Sequence, residues 1–129
     1  MNNSKLGRKT EIDCCDWLSK RGWWCHRMVA SEAGQPCDIV ALRGDDCILI
    51  DAKHCDDFYL RTSRIEPNQR SCFDYASRKF GIKCWFICQC NGALYRIKWE
   101  DVDLSKPTQK FELPPIAIPN ENGGWIGLL

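Results

Sequence analysis

The sequence predicts a mixed α/β fold, in which helices flank a central sheet and the elements follow one another as α-β-β-β-α-β-β. Three observations predict it. Two segments with the apolar spacing of helices each end at a glycine, Gly22 and Gly81. Short apolar runs typical of strands lie between and after these helices. Two of the strand connections carry turn signals, at Arg43–Asp46 and at Asn91-Gly92.

The first helix is predicted over Lys5–Arg21, with Gly22 at its C-cap. The strand Trp23–Val29 follows it. Glu11 is predicted to lie on or beside the inward face of the helix, although a solvated glutamate at the edge of that face is the plainer interpretation. The buried stripe of this helix is predicted to consist of Ile12, Cys14, Cys15 and Leu18.

The rest of the chain is organised around a hairpin predicted between residues 35 and 53. Its two apolar runs are Cys37–Leu42 and Cys47–Ile50, with the first turn signal between them. Side chains alternate along a strand, and here both sets of alternate positions are apolar. The hairpin is therefore predicted to lie inside a sheet that is covered on both sides.

Three ionisable groups converge at the open end of this hairpin. Folding about the turn places Asp38 opposite Asp51, and directly opposite residues of an antiparallel pair point to the same face. Lys53 points the same way as Asp51, because it lies two residues further along the strand. Charges at the rim of a buried hairpin are costly unless they are paired or bind a metal. A structural ion pair of Lys53 and a metal site are both compatible with this pattern.

The second half of the chain predicts a helix and another hairpin. The helix spans Pro67–Phe80 and ends at Gly81, and Gln69 lies on its buried stripe, where a polar amide requires a partner. The strands are Lys83–Cys90 and Ala93–Trp99. The apolar members of the helix stripe are predicted to be Cys72, Phe73, Ala76 and Phe80.

Two segments do not predict regular elements. His54–Glu66 is predicted to be a loop that interleaves aromatic and basic residues, which fits either a DNA-contacting segment or a packed lid with solvated arginines. Ser105–Leu129 is rich in proline and predicts an irregular segment packed on the body or on a partner subunit. With this segment included, residues 1–129 predict a single domain.

The charged group at the hairpin resembles the motif of the PD-(D/E)xK nuclease superfamily. Asp38 takes the place of the first aspartate, and Asp51-Ala52-Lys53 takes the place of the (D/E)xK triplet. The literal P-D pair is absent, because Cys37 separates Pro36 from Asp38. The resemblance implies a restriction-endonuclease-like core. Further residues are similar to archaeal-type and RecU-type Holliday junction resolvases, namely Gly7 and Arg8 ahead of Glu11, and Gln69 after the triplet.

The resemblance implies a metal-dependent DNA endonuclease that cuts branched DNA. Mg²⁺, or Mn²⁺ in its place, is expected to bind to Asp38, Asp51 and the Ala52 carbonyl, with Glu11 acting through water. Lys53 is expected to neutralise the scissile phosphate or orient the attacking water, and Gln69 to organise the site. The residues expected to contact DNA phosphates are Lys5, Arg8, Lys9, Arg61, Arg64 and Arg70.

The resemblance also implies a homodimer, because paired cuts across a junction need two sites. Apolar residues in excess of what one small domain can hide support an interaction surface, with the C-terminal segment and Trp23, Trp24, Phe58 and Tyr59 as candidates. Two alternatives stay open. One is another repair or restriction-type nuclease of the same fold, and the other is a catalytically silent DNA-binding or inhibitor module.

Composition and charge indicate what kind of DNA-binding surface the protein can have and in which compartment it acts. The formal net charge is +1, so a DNA-binding face has to be a local patch rather than a property of the whole chain. No apolar run approaches the ~18 residues of a membrane span, and the N-terminus lacks a signal-peptide core. The ten cysteines are expected to be reduced in the cytoplasm. The small size suggests a phage or mobile-element source.

Overall fold

The computed structural model describes residues 3–29 and 34–127. None of the helices within these ranges is long and apolar enough to cross a membrane. Short 3-10 turns at Thr62–Arg64 and Trp99–Asp101 join some of the longer elements. In chain order the helices and strands are α1 (Asn3–Ser19), β1 (Trp24–Arg27), β2 (Ile39–Arg43), β3 (Asp46–His54), β4 (Tyr59–Arg61), α2 (Pro67–Phe80), β5 (Lys83–Cys90), β6 (Ala93–Lys98), β7 (Thr108–Lys110), β8 (Ala117–Pro119) and β9 (Trp125–Gly127).

Within the described residues, seven strands form one mixed sheet in the order β1-β2-β3-β5-β6-β8-β9. The β3–β5 pair is parallel and the other pairs are antiparallel. Helix α2 makes the crossover between the two parallel strands, as a parallel pair requires. The strands β4 and β7 form a separate two-stranded sheet. The predicted mixed α/β fold is confirmed, and β2 and β3 form the predicted hairpin.

The sheet has an apolar core on each face, as the hairpin sequence predicts. Ile39, Ile48 and Ile50 pack with α1 on one face. Val40 and Leu49, which alternate with them, pack on the other face in the cluster that contains Phe73 of α2. Because both faces are covered, the strand ends that carry the charged residues are held in place from both sides.

The predicted helix stripes are partly wrong. Ile12 in α1 is half exposed, while Trp17, which was not assigned to the stripe, is fully buried. Trp17 lies three residues after Cys14 and so shares its face, whereas Ile12 does not. Phe80 is the last residue of α2 and is mostly exposed, with its ring edge-on to Tyr75 at 5.4 Å. The first error comes from the helical spacing, and the second from the position of Phe80 at the end of the helix.

The two segments predicted to be irregular contain strands. The loop after β3 includes β4, and the proline-rich C-terminal segment includes β7, β8 and β9. Each of these strands has three residues, too few for an alternating pattern to be visible in the sequence. The partner of β4 is β7, and β8 pairs with β6, both distant along the chain, and these strands bury Leu60 and Ala117 completely. Tertiary pairing, rather than local preference, makes these residues strands.

Trp23 is also placed differently from its prediction as a surface residue. It is 5% exposed and carries the Arg43 guanidinium over its ring at 4.4 Å. Trp24, Phe58 and Tyr59 are exposed as expected. The described C-terminal residues lie on the body of the protein, where the Trp125 indole nitrogen donates to Asp16 Oδ2 at 2.8 Å.

The contact between β9 and α1 leads to a stability prediction. A Cβ added at Gly127 would lie 2.8 Å from both the Ile116 carbonyl oxygen and the Trp17 indole nitrogen. We expect Gly127→Ala to lower the free energy of unfolding by about 1–3 kcal/mol, measured by urea denaturation. Gly7 in α1 is the matched control, because a Cβ there meets nothing within 4 Å. Gly7→Ala is expected to stabilise the helix by about 0.5–1 kcal/mol. A Gly127→Ala protein as stable as the wild type would contradict this packing.

Candidate active site

Two aspartates meet where β2 begins beside the middle of β3. The β2–β3 register pairs Ile39 with Ile50, and the Asp38 backbone N–H donates to the Ile50 carbonyl at 2.9 Å, so Asp38 lies across from Asp51. The Ala52 backbone N–H donates to Asp38 Oδ2 at 2.8 Å. The Asp38 carboxylate is therefore fixed to the same strand that carries Asp51.

The Asp51 carboxylate is almost completely buried, at 1% exposure. Gln69 of α2 donates from Nε2 to Asp51 Oδ1 at 2.9 Å. The Lys53 ammonium lies 3.0 Å from Asp51 Oδ2. This is an ion contact without hydrogen-bond direction, and Oδ2 has no hydrogen-bond donor among the described residues. One oxygen of this buried carboxylate is thus held by Gln69, and the other by the Lys53 ion contact alone.

Burial shifts the protonation of two carboxyl groups in the site. Burial and then the neighbouring Asp38 carboxyl raise the pKa of Asp51 well above its usual range, although Lys53 opposes the shift. Burial, followed by the Asp38 charge, also raises the pKa of Glu11, while the Arg27 and Arg8 guanidinium groups act in the other direction. Burial therefore makes the ionised forms of both carboxyl groups costly, and a bound cation would offset this cost.

The first turn of α2 is built into the site through Gln69. Its Oε1 accepts from the Glu66 backbone N–H at 3.0 Å, in a reciprocal capping arrangement in which the Glu66 side chain accepts from the Gln69 backbone. Pro67 occupies the first turn, where no N–H is needed. The two ends of one buried amide thus join the helix cap to Asp51, which is the partner that its burial requires.

Two polar residues near Asp38, Gln35 and Asn68, were not predicted as part of the site. Gln35 donates from Nε2 to Asp38 Oδ1 at 3.3 Å. Asn68 in α2 donates from Nδ2 to the Gln35 carbonyl at 2.7 Å, which holds the Gln35 backbone. Asparagine next to Gln69 in a helix start was the available signal, but the contact to Gln35 depends on a loop path that no periodicity predicts.

Glu11 lies on the same side of the molecule. Its Oε1 is 3.5 Å from Nε of Arg27 in β1, a further residue that was not predicted. Glu11 and the two aspartates line one cavity of about 630 Å³. The full lining consists of Gly7, Arg8, Glu11, Gln35, Asp38, Asp51, Ala52, Lys53, His54, Cys55, Asp56, Asp57, Tyr59, Arg61, Arg64, Glu66 and Gln69.

All residues predicted to be catalytic or metal-binding line this cavity, and the residues predicted to bind DNA are divided. Arg8, Arg61 and Arg64 line it. Arg64 also donates to the His54 carbonyl at 2.9 Å, so it supports the end of β3. The remaining three residues lie outside the lining. Lys5 is exposed on α1, and Lys9 pairs with Asp13. Arg70 donates to the Ile65 carbonyl.

The donor set fits a hard divalent cation. No cluster of three or more His, Cys, Asp and Glu side chains with metal-binding geometry occurs within residues 3–29 and 34–127. Mg²⁺ does not need one, since it is commonly held by one or two carboxylates together with water and substrate phosphate. Asp38 and Asp51 are the carboxylates that could hold such a cation, and Asp51 Oδ2, which has the Lys53 contact but no directed hydrogen bond, is an oxygen that it could reach.

Comparison with known proteins bears on the family and the fold. The family model of archaeal Holliday junction resolvases (Hjc) matches residues 2–111. The solved structure of Archaeoglobus fulgidus Hjc, a Holliday junction resolvase from an archaeal hyperthermophile, superposes with a TM-score of 0.62. The two chains are 22% identical over 81% of this chain and 80% of that chain, so this similarity shows a shared fold. No curated protein matches the sequence.

The raised pKa of Asp51 leads to a prediction about stability and pH. A folded-state pKa above the unfolded value, near 3.8, means that stability is fully present below that value and is lost as pH rises through the folded pKa. At pH 7 without metal, Asp51 therefore lowers stability, because the folded state disfavours the ionised form that the unfolded chain carries. We expect Asp51→Asn to raise the free energy of unfolding by at least about 1 kcal/mol in EDTA, and the gain to shrink toward about pH 4.

The matched control for this measurement is Asp45→Asn in the β2–β3 turn, an exposed acid that is expected to change stability by less than about 0.5 kcal/mol. Denaturant unfolding of the three proteins across the pH range measures the effect. Lower stability of Asp51→Asn than of the wild type at pH 7 would show that the Lys53 contact outweighs the cost of burying the charge.

Proposed function

We propose a mechanism for this chain from the premise that it belongs to the archaeal Holliday junction resolvase (Hjc) family. It is accordingly a nuclease that cuts branched DNA. The observation that carries the mechanism is the buried Asp51 carboxylate, which has one oxygen without a hydrogen-bond donor and faces the cavity beside Asp38 and Lys53. Such a group fits a metal-assisted hydrolysis of phosphodiester bonds.

In the proposed site the cation is Mg²⁺ or Mn²⁺, held by Asp38 and Asp51 with the Ala52 carbonyl, and Glu11 contributes through water. When bound, the cation neutralises phosphate oxygens and makes a water molecule more acidic. Lys53 is placed to neutralise the scissile phosphate or orient the attacking water, because its ammonium already lies 3.0 Å from Asp51. Because most of these groups lie on strands, the geometry of the site is held rigidly.

Positioning of the carboxylates falls to polar side chains at the start of α2 and just before β2. Gln69 holds Asp51 Oδ1, and Gln35, itself held by Asn68, donates to Asp38 Oδ1. These donors occupy one oxygen of each carboxylate, while the other Asp38 oxygen accepts from the Ala52 N–H and the other Asp51 oxygen contacts Lys53. We propose that they keep the two carboxylates in the orientation that a shared cation requires.

We further propose that the protein acts as a homodimer in the compartment that holds its DNA, the cytoplasm. Two symmetric cuts across a junction need two active sites, and a two-fold pair is the commonest closed assembly. The exposed Trp24, whose ring stacks on His26 at 5.9 Å, and the half-exposed Leu42 paired with it offer apolar surface for such contact. Light scattering in solution tests the dimer. The phage source stays a prediction.

Cleavage of defined DNA substrates tests the proposed mechanism. With Mg²⁺ present, we expect the wild type to cut a four-way junction in preference to plain duplex. Asp51→Asn removes one negative charge at constant shape and is expected to lower the cleavage rate by about 100-fold or more, while junction binding persists through phosphate contacts elsewhere. Asp45→Asn is the control and is expected to cut normally. Unchanged turnover in Asp51→Asn would remove Asp51 from the active site.

Salt dependence tests the proposed phosphate contacts. Each phosphate neutralised on duplex arms is expected to contribute about −0.9 to the slope of log K against log salt concentration. Arg8→Ala and Arg61→Ala remove exposed cations of the cavity wall, so each is expected to make the slope less steep by about 1. Arg78→Ala, on α2 and paired with Asp74, is the control. A wild-type affinity that does not change with salt concentration would argue against a DNA substrate.

A further inference from the structure

Strand β4 carries an aromatic side chain, Tyr59, that the proposed hydrolysis does not use. Along β4 the side chains alternate, with Leu60 fully buried and Tyr59 and Arg61 exposed. Tyr59 and Arg61 both line the cavity that contains Asp51 and Lys53. An aromatic ring, 45% exposed, therefore stands on the wall of the active site next to a cation.

Pairing with β7 adds residues to the same surface. The register places Tyr59 opposite Lys110 and Arg61 opposite Thr108, and directly opposite residues share a face. Lys110 is exposed. We define the β4–β7 face as Tyr59, Arg61, Thr108 and Lys110. It combines one aromatic ring with two cations, the combination that proteins use to hold the bases and phosphates of unpaired nucleic acid.

The backbone that carries Tyr59 rests on a packed support. The neighbouring Phe58 packs edge-on against Tyr95 at 5.7 Å and against Phe111 at 6.5 Å. The Phe111 N–H donates to the Phe58 carbonyl at 3.3 Å, which ties the strand ends together. Because the backbone is anchored here, less conformational freedom is lost when a flat ligand stacks on the Tyr59 ring.

The charges around Tyr59 favour an uncharged partner for its ring. The Asp57 carboxylate accepts from the Tyr59 backbone N–H at 3.3 Å, and Asp56 is exposed on the same cavity wall. Two carboxylates this near repel a phosphate placed over the ring, whereas a neutral nucleobase meets no such repulsion. Phosphates are better accommodated further along the face, at Arg61 and Lys110.

We propose that Tyr59 stacks on an unstacked nucleobase beside the scissile phosphate, and that this contact selects branched DNA over plain duplex. The proposal rests on the proposed function and names the feature of the substrate that the site recognises. In a continuous duplex every base is stacked between its neighbours, and reaching one costs unstacking and unpairing energy. At a branch point the stack is interrupted, so a base there reaches the ring at a lower cost.

Binding measurements with matched variants test this proposal. The chain carries Asp51→Asn to suppress cleavage, and fluorescence anisotropy compares a labelled four-way junction with a duplex of equal length. Tyr59→Leu is expected to weaken junction binding by roughly tenfold or more, the effect of losing one base–aromatic stack, with duplex binding unchanged. Tyr59→Phe keeps the ring and is expected to keep the junction preference. Tyr75→Leu removes an exposed tyrosine of α2 outside the cavity lining and is the control.

Each outcome decides the proposal. Loss of junction preference in Tyr59→Leu with its retention in Tyr59→Phe and Tyr75→Leu supports it. A junction preference that survives in Tyr59→Leu overturns the stacking role and leaves the proposed function intact. Equal binding of junction and duplex by the protein with Tyr59 present overturns both the stacking role and the proposed function. An equal loss on both DNAs in Tyr59→Leu overturns selectivity, because the ring would then contact DNA without distinguishing its structure.

Discussion

The burial of the Asp51 carboxyl group is the constraint on which the rest of the site depends. A carboxylate at 1% exposure has lost its water, and its neighbours return only part of that solvation. Gln69 satisfies one oxygen, while Lys53 approaches the other without a directed hydrogen bond. Burying Asp51 beside Asp38 adds repulsion to desolvation. A fold that keeps this arrangement gives up stability at a place where a cation would restore it.

The same constraint explains why α2 begins where it does. Gln69 needs a position that reaches both Asp51 and the Glu66 N–H, and only the first turn of the helix offers it. The Asn68 contact to Gln35 then fixes the chain segment before β2. Residues at the start of the helix therefore position both Asp38 and Asp51. Because α2 makes the crossover between the parallel strands β3 and β5, the core packing of the sheet sets the geometry of the site.

The features of the site that follow the regular spacing of side chains in strands and helices were predictable from sequence. The period of two in the hairpin put Asp38, Asp51 and Lys53 on one face, and helical spacing put Gln69 on a buried stripe. The Gln35, Asn68 and Arg27 contacts were not predictable, since they depend on loop paths and on how strands approach a helix. The β4–β7 pairing was missed for a related reason: three-residue strands carry no readable alternation, and their partners lie more than forty residues apart along the chain.

A chain with a net charge of +1 binds a polyanion only through a local excess of cations, and the wall of the cavity carries such cations. The two aspartates at the centre of the cavity come from the hairpin, while Arg8 comes from α1, which also carries Glu11, and Arg61 from β4. In the proposed mechanism the carboxylates repel phosphate until a cation binds, whereas the arginines attract it without one. Substitutions of the arginines therefore test positioning of the DNA, and substitutions of the carboxylates test hydrolysis, each with the other group left in place.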